Sequence, residues 1–158
     1  MRGLSGKTAI VTGAATGIGR ATAIRLAEEG VAVAALHLAS QADAAASLQA
    51  AMPPAHRPHL ARAVDIADEA SIARAFSAVA EAFGAIDYLV ANAATKRIHP
   101  TDAYPTDSWD AVQAVNLRGA FLCARTWLAQ RQSRGPGAVV FVSSVHEITP
   151  LVEDIGYA

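Results

Sequence analysis

A glycine-rich stretch near the start of the chain, TGAATGIG at residues 12–19, has the residue types and the spacing of an anion-binding turn. It follows a short apolar run at 7–12 and opens a stretch with helical apolar spacing at 17–30. One glycine permits a tight reversal, a second lets backbone approach a diphosphate, and a third allows close packing of helix on strand. The free N–H groups and the positive dipole end of the helix would attract the anion. An isolated glycine triplet can also be a plain tight turn, but this placement favours a dinucleotide site.

The rest of the chain alternates in the same way, and these elements must position the turn. Further strands are predicted at 31–38, 59–66, 86–92 and 137–144. Further helices are predicted at 41–52, 68–84 and from about 107 to 134, the last of them broken near its start. In the helix at 68–84, one face carries Ile72, Phe76, Val79 and Phe83. This alternation predicts a doubly wound α/β domain, with a parallel sheet covered on both faces, over residues 1–158.

Composition narrows the class of protein. The chain has 158 residues, of which 53% are hydrophobic and 17% charged, so it can bury a substantial core. The formal net charge is −1 and the 13 Lys and Arg residues are scattered, which argues against nucleic-acid binding. No apolar run has membrane-spanning length and the first residues do not read as a leader peptide, so we expect a soluble, cytoplasmic protein with no membrane association.

The cysteine and the histidines do not predict a metal site. The single cysteine, Cys123, falls in a helical pattern and reads as a small core residue. The five histidines are far apart, and the closest pair lies in HRPH at 56–59, a proline-rich stretch that predicts a solvated turn.

Further motifs follow the glycine turn in a fixed order. The third predicted strand closes on Asp65, the fourth on Asn92-Ala93-Ala94 and the fifth on Ser144, while Asn116 lies in VNLRG on the long helix and Tyr157 follows Ser144 by thirteen residues. Together with the G-x3-G-x-G spacing of the turn, these motifs resemble the short-chain dehydrogenase/reductase family over the whole chain. The resemblance implies a Rossmann-like sheet with strand order 3-2-1-4-5.

The resemblance also implies an NAD(P)-dependent oxidoreductase that interconverts a secondary alcohol and a carbonyl. In that reading the Tyr157 hydroxyl exchanges a proton with the substrate oxygen, Ser144 holds the same oxygen, and Asn116 helps to hold a water molecule. The family motif is Tyr-x-x-x-Lys, whose lysine lowers the pKa of the tyrosine. A free tyrosine is only about 0.1% ionised at neutral pH. The printed sequence stops at Ala158, so we expect a C-terminally truncated form that is inactive alone.

The cofactor site implied by the turn and the resemblance draws on several segments: Thr12, Gly13, Thr16, Gly17, Ile18, Gly19, His37, Ser40, Asp65, Ile66, Asn92, Ala93 and Ala94. An acid at the end of the second strand would select NAD by binding the ribose 2′-OH, and ALHLASQ has none there. It has no arginine either. A protonated His37 and Ser40 can contact a 2′-phosphate, which favours NADP.

Each motif also has a plainer interpretation. Asp65 can be a turn or capping residue, and Asn92 can tie two strands together. Asn116 can be a buried amide whose hydrogen bonds are satisfied, and Ser144 can cap the end of its strand. The alternative to an enzyme is therefore a non-catalytic nucleotide-binding remnant of the same family, or a structural domain that binds no nucleotide.

The resemblance extends to substrate and assembly. SSVHE at 143–147 is similar to the segment around the catalytic serine in glucose 1-dehydrogenase-like members, which suggests a sugar or another secondary alcohol with His146 and Glu147 near its entrance. The family often assembles through the long helix, so the full-length form is expected to be a homo-oligomer.

Overall fold

The computed structural model describes residues 3–131, 135–149, 153 and 155–157. Its strands are β1 (Thr8–Thr12), β2 (Ala32–His37), β3 (Leu60–Ala63), β4 (Tyr88–Ala91) and β5 (Ala138–Phe141). Its helices are α1 (Gly17–Glu28), α2 (Ala42–Ala51), α3 (Glu69–Phe83), α4 (Thr106–Gln113) and α5 (Ala120–Gln130), with a π-helical segment at Ala114–Gly119 between the last two. Short 3₁₀ turns occur at Ala39–Gln41, Thr101–Ala103 and Val145–Glu147.

The five strands form one parallel sheet, as their alternation with helices predicted, and their order β3-β2-β1-β4-β5 is the one that the resemblance implied. All residues of β1 and β2 are buried, which agrees with their nearly unbroken apolar sequences. β5 pairs with β4 and forms the edge of the sheet among the strands described. The strand order reverses at β1, because β2 lies on one side of it and β4 on the other.

Successive strand residues point to opposite faces and so divide the core into two layers. Ile10, Leu36 and Leu89 point to the face covered by α3 and α5, whose buried members include Phe76 and Trp127. Ala9, Val11, Val33, Ala35 and Val90 point to the other face, where the partners are Ala23 and Ala27 of α1 and Leu48 of α2. The sheet is therefore doubly wound, and the predicted apolar stripe of α3 is buried.

The long helix predicted from about 107 to 134 is three consecutive segments. It begins at Thr106, directly after Pro105, and its hydrogen-bonding widens to the π pattern at Ala114–Gly119 before α5 continues to Gln130. A π segment inserts extra residues into the helix, which hydrophobic periodicity does not reveal. The predicted C-terminal end at Arg134 lies outside the described residues.

The interpretation of HRPH as a solvated turn is wrong for its second histidine. His59 is buried, and its Nδ1 accepts a hydrogen bond from the Val33 N–H at 3.1 Å while its Nε2 donates to the Pro53 carbonyl at 2.8 Å. The imidazole therefore joins β2 to the loop after α2. His56 is exposed, as predicted.

None of the helices in the described part of the chain is both long enough and apolar enough to cross a lipid bilayer.

Candidate functional site

The three glycines of the turn differ in what surrounds them. Gly13 has φ +63°, and a Cβ placed on it would lie 2.8 Å from the Ala93 Cα. A Cβ on Gly19 would lie 2.5 Å from Nδ2 of Asn92 and 2.9 Å from the carbonyl carbon of Gly13. Gly17 has φ +52° but open space around its Cβ position. Gly13 and Gly19 therefore allow close packing inside the protein, whereas Gly17 keeps the outer side of the turn free for the approach of another molecule.

Thr12 and Asn92 join the loops that follow β1 and β4. Oγ1 of Thr12 accepts hydrogen bonds from the N–H groups of Asn92 and Ala93, both at 3.0 Å. In return, Nδ2 of Asn92 donates to the Thr12 carbonyl at 3.0 Å. These contacts hold the two loops together at the point where the strand order reverses, which is where open α/β sheets bind ligands. The plainer interpretation of Asn92, that it ties strands together, is confirmed by these bonds.

A cavity of about 400 Å³ opens at the carboxyl ends of β1 to β4. Seven of the predicted cofactor-binding residues line it: Gly13, Thr16, His37, Asp65, Ile66, Ala93 and Ala94. Three other predicted residues, Gly17, Ile18 and Ser40, are exposed and are not among the residues that line this cavity. The buried Thr12 and Gly19 and the half-buried Asn92 do not line it either. The structure thus brings residues from four separate loops to one site.

His37 and Asp65 both line this cavity. The His37 ring is buried, and its Nδ1 donates to the Leu38 carbonyl at 2.9 Å, which requires a proton on that nitrogen. Asp65 is exposed, and its Oδ1 accepts from the Ala67 N–H at 2.9 Å. Asp65 therefore makes the turn that its plainer interpretation predicted, and it also lines the cavity.

A second cavity, of about 320 Å³, lies beside the first and contains the predicted catalytic residues. Asn116, Ser144 and Tyr157 all line it, and Ala93 and Ala94 line both cavities. Ser144 and Tyr157 are half-buried. Tyr157 follows Ser144 by thirteen positions, so the fold of the intervening segment accounts for their meeting at one cavity.

Asn116 lies in the π-helical segment with both ends of its amide engaged. Its Oδ1 accepts from the Thr95 N–H at 2.8 Å, and its Nδ2 donates to the Thr95 carbonyl at 2.9 Å. The interpretation of Asn116 as a buried amide with satisfied hydrogen bonds is therefore confirmed for the hydrogen bonds, whereas the residue itself is only half-buried. These bonds fix the loop that carries the shared wall of the two cavities.

A histidine links Ser144 to Tyr157. Oγ of Ser144 accepts from the His146 N–H at 3.3 Å, at the start of the 3₁₀ turn. The His146 ring contacts the Tyr157 ring edge to face, with centroids 6.1 Å apart and an angle of 64° between the planes. His146 thus lies beside the tyrosine, and its own Nδ1 donates to the Thr149 carbonyl at 3.1 Å. The side chain of Glu147 lies outside the described atoms.

Comparison with known proteins decides the family. A sequence model of the short chain dehydrogenase family matches residues 7–158. The chain belongs to the short-chain dehydrogenase/reductase family. The predicted resemblance is therefore confirmed.

Several dehydrogenases are similar to this chain in sequence or in fold. D-threitol dehydrogenase of Mycolicibacterium smegmatis is 38% identical over 154 residues, which are 98% of this chain and 58% of the relative. Glucose 1-dehydrogenase of Gluconobacter oxydans is 33% identical over 155 residues, with the same coverage of 98% and 58%. The crystal structure of an NAD⁺-bound xylitol dehydrogenase superposes with a TM-score of 0.87 at 31% identity, covering 99% of this chain and 60% of the other. This short-chain dehydrogenase/reductase chain thus spans about three fifths of the length of these relatives.

Sequence reasoning missed several residues at the two cavities of this family member. Gln41, Thr95 and Arg97 line the larger cavity, and Gln113 lines the smaller one. Arg97 could have been found from the sequence, because it follows Ala94 by three residues. Ala94 closes the fourth predicted strand, which the prediction already placed at the site. For Gln113 no signal in the sequence distinguishes it from other polar residues of its helix. Among the residues that the structure describes, no cluster of His, Cys, Asp and Glu side chains could hold a metal ion.

Proposed function

We propose that this protein is an oxidoreductase that binds NAD(P) in the larger cavity and transfers hydride to or from a small alcohol or carbonyl compound in the smaller one. The observation that carries the proposal is the shared wall: Ala93 and Ala94 line both cavities, so a ligand that extends along them reaches from the glycine turn to Tyr157. Hydride transfer requires this arrangement, because cofactor and substrate must meet at van der Waals distance.

The residues of the larger cavity fit a dinucleotide. Gly17 does not line this cavity, but it follows Thr16, which does, and it leaves open space beside the turn, so the backbone there can approach a diphosphate at the start of α1. Asp65 offers a carboxylate to the amino group of the adenine, and Ile66 and Val115 offer apolar walls. Thr12 and Asn92 contribute indirectly, because they hold the loops of the site together.

The residues of the smaller cavity supply the proton chemistry. A bound nicotinamide would provide or accept hydride at its C4. Tyr157 gives its hydroxyl proton to the substrate oxygen during carbonyl reduction and takes a proton from it during alcohol oxidation. Ser144 donates a hydrogen bond to the same oxygen, since its Oγ already accepts one from His146. Asn116 holds the wall at Thr95 that brings the two cavities together.

We propose that NADP is the preferred nucleotide. Residues 36–41, all of them described, include no carboxylate that would repel a 2′-phosphate, and four of them line the cavity: Leu36, His37, Leu38 and Gln41. Arg97 also lines it and adds a permanent cation. Ser40 is not one of the lining residues, so the support from the end of β2 rests on His37.

We propose a polyol or another secondary alcohol as the substrate class. Two relatives are named as dehydrogenases of polyols, D-threitol and xylitol, and a third as a glucose 1-dehydrogenase. The hydroxyl groups of Ser144 and Tyr157 at the smaller cavity suit a hydroxylated compound.

We also propose self-association through the exposed apolar side chains of the π segment and α5. Leu117, Phe121 and Leu128 are 57% to 68% exposed. Phe121→Glu should shift the sedimentation coefficient towards that of a monomer, and an unchanged coefficient would contradict this part of the proposal.

The test of function has two stages. In the first, melting temperature is measured with NAD and with NADP, for the parent and for Gly17→Val, whose added side chain would block the turn. We expect a rise that grows with nucleotide concentration in the parent and is lost in the variant. If both nucleotides leave the melting temperature of the parent unchanged, the binding proposal fails.

The second stage follows the absorbance of reduced nicotinamide with a panel of polyols and ketones, in the natural protein that carries Tyr157 and in its Tyr157→Phe and Ser144→Ala variants. We expect turnover that is lost almost completely in Tyr157→Phe. Turnover that is indifferent to this change would contradict the catalytic assignment. Nucleotide binding without turnover would support the nucleotide-binding alternative.

A further inference from the structure

The backbone immediately before Tyr157 is held by a glutamine from α4. Nε2 of Gln113 donates a hydrogen bond to the Gly156 carbonyl at 2.9 Å. That carbonyl belongs to the peptide group whose nitrogen is the backbone nitrogen of Tyr157. Fixing its position therefore restricts where the Cα of Tyr157 and the phenol beyond it can lie.

Two more contacts hold the same segment from the same side. Gly156 is buried, and a Cβ on it would lie 2.8 Å from Cζ of Tyr104, so the phenol ring of Tyr104 lies directly against its backbone. The hydroxyl of Tyr104 donates to the Arg97 carbonyl at 2.8 Å, which fixes the ring. The His99 N–H donates to the Glu153 carbonyl at 3.0 Å. The described residues at 153 and 155–157 are therefore docked on the segment 97–113.

Gln113 stands at a junction within the helix. It is the last residue of α4, and the π segment begins at the next residue. Asn116 follows three residues later and bonds the backbone of Thr95, while Gln113 bonds the backbone of Gly156. Both side chains line the smaller cavity. One stretch of helix thus fixes two parts of the cavity, the loop after β4 and the segment that carries Tyr157.

We propose that Gln113 is a positioning residue for Tyr157, which acts by holding the Gly156 carbonyl so that the phenol stays at the cavity with Ser144. This inference deepens the proposed function and rests on it for its catalytic meaning. Proton transfer requires the donor and acceptor to remain within hydrogen-bond reach, so a tyrosine with a loosened backbone is a poorer acid and base. The position of Tyr157 is an independent physical property and can be measured without turnover.

The experiment uses the chain labelled with 3-fluorotyrosine and observed by ¹⁹F NMR. Its tyrosines are Tyr88, Tyr104 and Tyr157, and Tyr157→Phe assigns the resonance of interest. The test variant is Gln113→Met, which keeps the length of the side chain and removes the donor. The matched control is Gln49→Met, because Nε2 of Gln49 also donates to a backbone carbonyl at 2.9 Å, that of His59, on the far side of β2.

In Gln113→Met we expect the Tyr157 resonance to move towards that of free fluorotyrosine and its relaxation by a soluble paramagnetic agent to rise severalfold. In Gln49→Met we expect the Tyr157 resonance to remain at the parent position. A Tyr157 resonance unchanged in Gln113→Met would overturn the proposal, and so would an equal change in Gln49→Met, since that would reflect general loosening.

A kinetic measurement on the natural enzyme links this placement to catalysis. Gln113→Met should lower kcat about tenfold or more with KM changed by less than about twofold, because the substrate contacts remain and only the geometry of proton transfer suffers. A rise in KM with kcat unchanged would overturn the positioning role. If no nucleotide binds and no substrate turns over, the proposed function fails, while the NMR result still decides whether Gln113 holds Tyr157.

Discussion

Asn116 and Thr95 form a closed pair of hydrogen bonds, in which the amide oxygen accepts from the Thr95 N–H at 2.8 Å and the amide nitrogen donates to the Thr95 carbonyl at 2.9 Å. The pair joins the π-helical segment to the loop after β4. Thr95 comes directly after Ala94, so the same pair fixes the wall that the two cavities share.

Asn116→Asp should therefore destabilise the fold as well as the site. The carboxylate can still accept from the Thr95 N–H, but it has no donor for the Thr95 carbonyl and places a negative charge beside it. We expect a loss of about 1–3 kcal/mol in the free energy of unfolding, measured by urea denaturation. Unchanged stability would mean that solvent satisfies the Thr95 carbonyl.

Gly13 and Gly17 form a matched pair for testing the turn. Both have positive φ, so alanine at either position carries the left-handed penalty of about 1–2 kcal/mol. Only at Gly13 would the new Cβ also lie 2.8 Å from backbone, at the Ala93 Cα. Gly13→Ala should therefore lower the melting temperature clearly more than Gly17→Ala. Equal losses would show that the loop after β4 moves away freely.

His59 and His56 test whether the loop before β3 is part of the core. His59→Ala removes a donor and an acceptor and leaves the Val33 N–H and the Pro53 carbonyl without their partner. We expect a loss of about 2–4 kcal/mol in unfolding free energy. His56 is exposed, and His56→Ala should change stability by less than about 0.5 kcal/mol. Similar values for the two variants would contradict the buried role of His59.

Cys123 makes the fold sensitive to alkali. Burial raises the pKa of its thiol from 9.0 to about 12, because the thiolate would be poorly solvated in the core. The unfolded chain therefore loses this proton first, and the associated stability is complete below pH 9 and is lost as the pH rises towards 12. The slope from this group is about 1.4 kcal/mol per pH unit.

Cys123→Ala should remove that part of the alkaline slope. The measurement compares urea unfolding of the parent and the variant from neutral pH to about pH 11. The difference between the two proteins should shrink as the pH rises, since other titrating groups are common to both. A constant difference would contradict the prediction.

In the chain of residues 1–158, β5 is the edge of the sheet among the strands that the structure describes, and we expect it to limit the solubility of this chain. Val140 and Phe141 are 53% and 56% exposed, on a strand that pairs with β4 along one side. Apolar edge strands of this kind template association with other chains. Val140→Lys should lower light scattering at high protein concentration while the melting temperature stays nearly constant. An unchanged tendency to aggregate would shift the cause to another surface, such as Leu117, Phe121 and Leu128.

The layout of the sheet could be predicted because it depends on features that the sequence displays directly. Alternating apolar runs placed the strands, the resemblance implied their order, and Ile72, Phe76, Val79 and Phe83 showed which face of α3 is buried. The glycine turn was recognisable because the backbone has positive φ at Gly13 and Gly17, a conformation that favours glycine.

Contacts between distant residues could not be predicted in this way. His59 looked solvated because its neighbours are prolines and polar residues, and its burial depends on β2 passing beside it. The π-helical segment was invisible because extra residues in a helix leave no mark on composition. Gln113 gave no signal because its partner, the Gly156 carbonyl, is 43 residues away and belongs to the backbone.

The hydrogen bonds between Thr12 and Asn92 indicate which residues of the site can be changed in a redesign and which cannot. The turn after β2 keeps its side-chain bonds local, since His37 bonds Leu38 and the Leu38 N–H bonds the side chain of Gln41. Residues 38–41, which follow the buried last residue of β2, can therefore be exchanged as a cassette. Thr12 has no such independence, because one hydroxyl anchors two backbone N–H groups of the neighbouring loop. A library should accordingly randomise the turn after β2 and leave Thr12 and Asn92 unchanged.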